Sequence, residues 1–302
     1  MDLKSKIILI YGPTASGKSS FAVQLAKKIK GEIINADSMQ IYKELKILSA
    51  RPSEKEYKDI KHHLYGFQSA KKSFSTGDWL RIVNKKIFEI RKRKNVPILV
   101  GGTGLYFKAL TEGLVNIPNI PSKHREKIRS LHKKLGSKKF FLKLLKLDPQ
   151  VRNNLIYSDT QRCIRAYEVK LFTKKSVYDW FKKTKPNFEQ NDFYKIYIDF
   201  PRKELLDRIS LRTKKMIKNG AIIEVKKFSE IKVRRDGIAQ KAIGIREITQ
   251  YLQKKITISE LIEKISVKTR QYAKRQSTWA RGNMQNWNKM NPIDLNKFLK
   301  KI

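Results

Sequence analysis

Eight residues near the N-terminus, Gly12-Pro13-Thr14-Ala15-Ser16-Gly17-Lys18-Ser19, have the spacing of a phosphate cradle. Gly12 and Gly17 let the main chain curl so that its N–H groups converge on phosphate oxygens. Lys18 supplies a point charge and Ser19 a hydroxyl for Mg²⁺. The start of the following helix adds the positive end of its dipole. An ordinary Gly-rich strand–helix turn is the bland alternative, and the complete match in the right context disfavours it. A triphosphatase also needs an acid at the end of another strand. The strand Pro97–Val100 ends instead in Gly101-Gly102-Thr103-Gly104, and Asp199 reads equally well as a plain strand-end aspartate. This partial equipment favours a diphosphate leaving group over a motor ATPase.

Asp37 stands where an α/β sheet opens its ligand crevice, at the carboxyl end of the expected second strand. A carboxylate there can take a proton. It can equally cap the next helix, and residue type alone does not choose between the two. Thr103 follows two glycines that would let it approach a ligand, or it too is a cap. Gln161, Arg162 and Arg165 fall three to four apart, so one helix face can offer them to a phosphate; the alternative is a solvated face with Glu168 as ion-pair partner. Thr269–Arg281 interleaves Arg270, Lys274, Arg275 and Arg281 with Tyr272 and Trp279, a mix that suits RNA phosphates and stacked bases. Core packing of those aromatics is the competing reading. His62 and His63 diverge on a helix and read as structural, and Cys163 reads as packing.

The elements that must position these groups alternate. Lys6–Tyr11 reads as a strand, Lys18–Ile29 as a helix and Glu32–Ala36 as a strand. Thr76–Lys94 reads as a helix, Pro97–Val100 as a strand and Leu105–Glu112 as a helix. Such alternation predicts a parallel sheet with crossover helices. Gly113–Pro121 is a Pro/Asn-rich crossing, after which everything to about Tyr178 is helical and basic. A strand returns near Lys195–Phe200, followed by helices to Trp279. The fold class is therefore α/β, a parallel core with a helical insertion: residues 1–115 and 190–302 form the core, 116–189 the insert.

Lys and Arg number 68 against 27 Asp and Glu, a net +41 that calls for a polyanionic partner or reflects a Lys-rich genome. Charge alone does not decide. No apolar run approaches a membrane span, and the N-terminus reads as a strand rather than a leader. One cysteine suits a reducing cytoplasm.

Five ordered motifs resemble the tRNA dimethylallyltransferase (tRNA isopentenyltransferase) family, bacterial type. They are the cradle, Asp37-Ser38-Met39-Gln40, Gly101-Gly102-Thr103-Gly104-Leu105-Tyr106, Asp159–Glu168 and Thr269–Trp279. Arg212, Met216, Gly220 and Ala242-Ile243-Gly244 fit the same pattern, and the resemblance runs from Ile7 to about Arg281. Departures are Leu48 for a usual Gly, Lys61 for Pro, Ile245 for Tyr and Lys174 for Gly. None removes a charge the chemistry needs.

The resemblance implies a P-loop NTPase-like core and an Mg²⁺-dependent transfer. A dimethylallyl group would pass from its diphosphate to the N6 amine of the adenosine 3′ to the anticodon (position 37), with diphosphate released. It implies catalytic roles for Asp37, as base, and Thr103, and donor-phosphate contacts from Gly12 to Ser19 and at Arg165. The tRNA contacts it implies begin with Asp37, Ser38, Met39, Gln40, Thr103 and Arg125. They continue with Gln161, Arg162, Cys163, Ile164, Arg165 and Arg246, and end on the last motif with Lys274, Arg275, Gln276, Thr278, Trp279 and Arg281. The expected partners are the tRNA anticodon stem-loop and the donor, the expected state a cytoplasmic monomer away from membranes. A nucleotide or metabolite P-loop kinase would need no RNA surface, and an adenylate isopentenyltransferase no large basic insert. An RNA-binding switch would need an Asn-Lys-x-Asp segment, which is absent.

Overall fold

Strand β1 (Ile7–Tyr11) is buried along its whole length. Ile7, Leu9 and Tyr11 enter one hydrophobic cluster while Ile8 and Ile10 enter another. That period of two marks a strand covered on both faces, as parallel sheets require. The computed structural model describes residues 2–182, 184–233 and 237–302. It divides into two compact units, Met1–Thr111 with Phe188–Ile302, and Glu112–Asn187.

In the first unit β1 leads to α1 (Lys18–Ile29), β2 (Gly31–Asn35), α2 (Glu54–Tyr57) and β3 (His62–His63). Then come α3 (Thr76–Lys92), β4 (Val96–Gly101) and α4 (Gly104–Glu112). The second unit holds α5 (Ser122–Leu147), α6 (Thr160–Thr173) and α7 (Val177–Phe181). The chain returns with β5 (Phe193–Ile198), α8 (Arg202–Lys218), α9 (Ala221–Glu230), α10 (Ile245–Leu252) and α11 (Ile258–Asn283). It ends with β6 (Asn288–Met290) and α12 (Pro292–Lys301).

The six strands run parallel in the order β3-β2-β4-β1-β5-β6. Because β4 sits between β1 and β2, the carboxyl ends of these three strands lie side by side. Tyr11 is level with Gly101, and Asn35 with Val100. The P-loop, Asp37 and Thr103 each follow one of these ends. Sequence-distant segments therefore meet at one edge of the sheet, where such folds bind ligands.

Helices α3 and α11 start where side chains can satisfy their first N–H groups. Ser75 with Asp78 caps α3, and Thr257 with Glu260 caps α11. The second unit has its own core, including Phe140, Leu144, Val151 and Val169. Its helix α5 breaks at Gly136, where φ is 71° and ψ is 166°.

Strand boundaries move by one or two residues from the pattern-based expectation. The second strand begins at Gly31, and the strand expected at Lys195–Phe200 is Phe193–Ile198. Pairing decides this: Phe193 already lies opposite Ile7. Strands β3 and β6 and helix α12 had no counterpart in the sequence reading.

Candidate active site

The cradle is built from unusual backbone. Ala15 and Gly17 take positive φ, 67° and 84°, which turns the loop's peptides inward. A Cβ on Gly12 would stand 2.8 Å from Ser16 Oγ and 3.1 Å from Ile198 Cβ, so the first glycine is sterically required. Lys18 donates to the Pro13 carbonyl at 3.3 Å. Burial lowers its pKa to about 8, with the Asp37 carboxylate opposing that shift and Arg212 adding to it. The Ser19 hydroxyl makes no hydrogen bond among the described residues, and Ser16 Oγ is buried without a partner.

Helix α8 adds two cations that no motif had assigned to the cradle. Arg212 Nη1 donates to Thr14 Oγ1 at 2.8 Å. Arg208 Nη1 comes within 3.6 Å of the position a Cβ on Gly17 would occupy, and its guanidinium lies 4.3 Å over the Phe200 ring. Their spacing of four puts both on one helix face. That spacing was visible in the sequence; the strand-to-helix path bringing it over the P-loop was not.

Asp37 is held by the end of β2. Asn35 is fully buried; its Oδ1 accepts the Asp37 N–H at 2.9 Å and its Nδ2 donates to the Asp37 and Leu64 carbonyls. Trp79 Nε1 anchors the Asn35 carbonyl at 3.1 Å. Asp37 Oδ1 accepts the Met39 N–H at 2.9 Å, a local turn rather than a helix cap. The other oxygen has no hydrogen bond among the described residues. Burial lowers the Arg212 pKa and the Asp37 charge opposes it, as at Lys18, so carboxylate and cations share one site. Thr103 does not cap α4: its hydroxyl accepts from Ser38 N at 2.9 Å and donates to Ser38 Oγ at 3.2 Å. Aspartate, Ser38 and Thr103 form one connected rim.

The glycines around Thr103 serve packing. A Cβ on Gly101 would fall 2.0 Å from the Ala36 carbonyl oxygen, on Gly102 2.0 Å from Gln276 Nε2, and on Gly104 2.4 Å from the Trp279 ring. Helix α11 and the end of β2 thus occupy the space expected for ligand. Gln276, one of the expected RNA contacts, is 4% exposed, and its amide is spent on Thr14 N and the Gly102 carbonyl. Trp279 is half-buried, 5.8 Å from the Tyr11 ring, and belongs to the wall. Lys274, Arg275, Thr278 and Arg281 are exposed on the same helix, and Arg246 is exposed on α10.

After β2, Gln40 donates to the Ser49 and Ala50 carbonyls at 3.1 Å each. Glu224 gathers the N–H groups of Lys46, Ile47 and Leu48 at 2.8 to 2.9 Å. The positive φ in this loop falls on Ala50, not Leu48, whose side chain packs against Gly244. Leucine for glycine is therefore accommodated without backbone strain. Met39 packs partly buried against the core.

In the second unit Gln161 and Arg162 are exposed on the first turn of α6, Arg162 pairing with Asp159 at 3.5 Å. Arg165 is half-buried, 3.5 Å from Glu168, which Arg129 also approaches at 3.9 Å. Arg125 acts electrostatically on both. Burial raises the Glu168 pKa against these cations and lowers that of Arg165. The buried Glu168 carboxylate thus sits among several guanidiniums. Cys163 and Ile164 are buried in this unit's core.

The IPP transferase family profile matches residues 40–283, from the rim after β2 to the last residue of α11. The chain belongs to the IPP transferase family. It is 59% identical over 302 residues to a tRNA dimethylallyltransferase of Pelagibacter ubique, covering all of this chain and 96% of that one. It is 41% identical to its namesake from Agrobacterium fabrum, over 97% and 99% of the two chains. The full-length tRNA isopentenylpyrophosphate transferase of Bacillus halodurans superposes with a TM-score of 0.70 at 32% identity, over 98% and 94% of the chains. A eukaryotic dimethylallyltransferase captured acting on tRNA gives 0.82 at 27%, over 97% and 75%. The P-loop NTPase-like fold of these IPP transferases is the fold of this chain.

Proposed function

We propose that this enzyme transfers a dimethylallyl group from dimethylallyl diphosphate to the N6 amine of the adenosine 3′ to the anticodon, position 37 of certain tRNAs. The observation that carries the reading is the carboxylate of Asp37, just past the carboxyl end of β2 and beside the strand ends that carry the diphosphate cradle and Thr103. The amine nitrogen attacks the allylic carbon as the carbon–oxygen bond breaks, and the electron pair leaves with diphosphate. Lys18, Arg208 and Arg212 surround the charge that develops there. The attacking amine is a weak nucleophile because its lone pair is delocalised into the ring. The unbonded oxygen of Asp37 takes its proton as the new bond forms. Thr103, through Ser38, fixes the rim on which the amine is presented.

Ser19 and the donor's phosphate oxygens would hold Mg²⁺, and a serine hydroxyl beside phosphate oxygens is an oxygen donor set that suits that hard cation. When bound, the ion draws negative charge from the leaving group. The target base must turn out of its stack to reach the rim. The exposed cations of α11 and the basic insert suit the anticodon stem-loop, with Arg125, Gln161, Arg162 and Arg165 as the insert's contacts. No helix of the described residues is long and apolar enough to cross a membrane. A cytoplasmic monomer fits this work. Incubation with tRNA and either labelled dimethylallyl diphosphate or γ-labelled ATP tests the proposal: the prenyl label should reach RNA. Transfer of the γ-phosphate instead would make the protein a kinase.

A further inference from the structure

We propose that Gln276 is a positioning residue that couples RNA engagement on α11 to the shape of the diphosphate cradle, an inference that rests on the function proposed above. One residue touches three segments. Its Oε1 accepts the Thr14 N–H at 2.8 Å, its Nε2 donates to the Gly102 carbonyl at 2.9 Å, and its main-chain carbonyl accepts the Tyr11 hydroxyl at 3.0 Å. Those segments are the P-loop, the end of β4 and the end of β1. A primary amide is the side chain that both accepts and donates in this geometry; glutamate loses the donor and leucine loses both. The amide lies close over the main chain of Gly102, where a Cβ would fall 2.0 Å from Nε2, so a larger residue there would displace it. Trp279, one turn on, is pressed in the same way onto Gly104.

Thr14 is therefore clamped from two helices, its N–H by α11 and its hydroxyl by Arg212 of α8. Its peptide belongs to the loop whose N–H groups face the diphosphate. On the opposite side of α11, Lys274, Arg275 and Thr278 stand exposed within two residues of Gln276. A helix moves as a stiff body over so short a span. RNA that seats the outer face of α11 thus fixes the inner amide, and with it the first turn of the cradle. The donor site becomes better organised when RNA is present, and linkage requires the reverse effect to be equal.

The test measures the affinity of the intact protein for inorganic diphosphate with and without saturating tRNA, and for tRNA with and without saturating diphosphate. In the wild type each should tighten the other by the same factor, about fivefold or more. In Gln276→Leu that factor should fall below about twofold, while tRNA affinity alone stays within about twofold of wild type. A purely structural role would lower melting temperature and both affinities without removing the factor. Gln276→Glu keeps the acceptor for Thr14 and should retain part of it, and this variant carries the test if the leucine protein does not fold. A wild type that prenylates tRNA yet shows no reciprocal factor overturns this proposal alone, as does either variant with the wild-type factor. A wild type that cannot prenylate tRNA overturns the functional reading beneath it.

Discussion

Asp37 accepts the Met39 N–H through Oδ1, so asparagine in its place keeps the turn and loses only charge and basicity. Asp37→Asn should therefore slow the chemical step by about 10²–10⁴-fold, the usual worth of a general base. Single-turnover kinetics on a preformed enzyme–tRNA complex, with melting curves alongside, check this; near wild-type rates in a normally melting variant remove Asp37 from the mechanism. Lys18→Ala should cost about 2.7 kcal/mol or more, a hundredfold in rate, with bulk tRNA binding little changed. The lysine also predicts a pH dependence. Its folded pKa of about 8 lies below the ordinary 10.5, so between those values the unfolded chain binds more protons. This group's contribution to stability therefore rises with pH through that window. Diphosphate affinity in the wild type should fall over the same range as the ammonium loses its charge. Lys18→Ala should lack that limb, and diphosphate titrations from pH 7 to about 9.5 read it. The places of Lys18 and Asp37 were legible because the motif and the strand end mark them. Asn35, which holds Asp37 in place, was not: a buried polar residue inside an apolar strand shows its purpose only through its partners.

Helix α11 illustrates what a pattern of residue types conceals. Its run of cations and aromatics reads as a single RNA-facing surface, yet the 3.6-residue turn divides it. Gln276, Ala273 and Ala280 go inward while Lys274, Arg275, Thr278 and Arg281 go out. Amphipathicity was legible, but which polar residue the core would recruit depended on Gly102 and the P-loop, some 170 and 260 residues away in the chain. Strands Ile7–Tyr11 and Val96–Gly101 were legible from apolar runs covered on both faces. Strands β3 and β6 were not, because runs of two or three mostly polar residues become strand only by pairing with β2 and β5. The outward half of α11 carries the prediction at this scale. Lys274→Gln with Arg275→Gln should weaken tRNA binding and lower the magnitude of its salt slope by up to about two contacts' worth. Diphosphate affinity without RNA should stay the same, since neither side chain reaches the cradle. An unchanged slope would return this face to solvent.

Across the molecule the positive charge is spread through both units, and the share carried by the insert can be tested apart from the chemistry. Glu112–Asn187 carries 19 Lys and Arg against 6 Asp and Glu, in about a quarter of the chain. Much of it stands exposed on α5, where Lys127, Lys133 and Lys134 precede the break at Gly136. Two explanations compete. If the insert grips the anticodon stem-loop, each lysine that neutralises a phosphate releases a counterion and adds about 0.9 to the slope of log K against log salt. If the lysines record only a compositional bias, they are solvated and add nothing. Replacing all three with Gln leaves the unit's core of Phe140, Leu144, Val151 and Val169 untouched, so melting should not move. Under the first explanation the salt slope for tRNA should fall by between about one and three contacts' worth. Diphosphate affinity measured without RNA should hold within about twofold, because separate sites contribute independently. An unaltered slope would assign the charge of α5 to composition and leave RNA recognition to α11 and the first turn of α6.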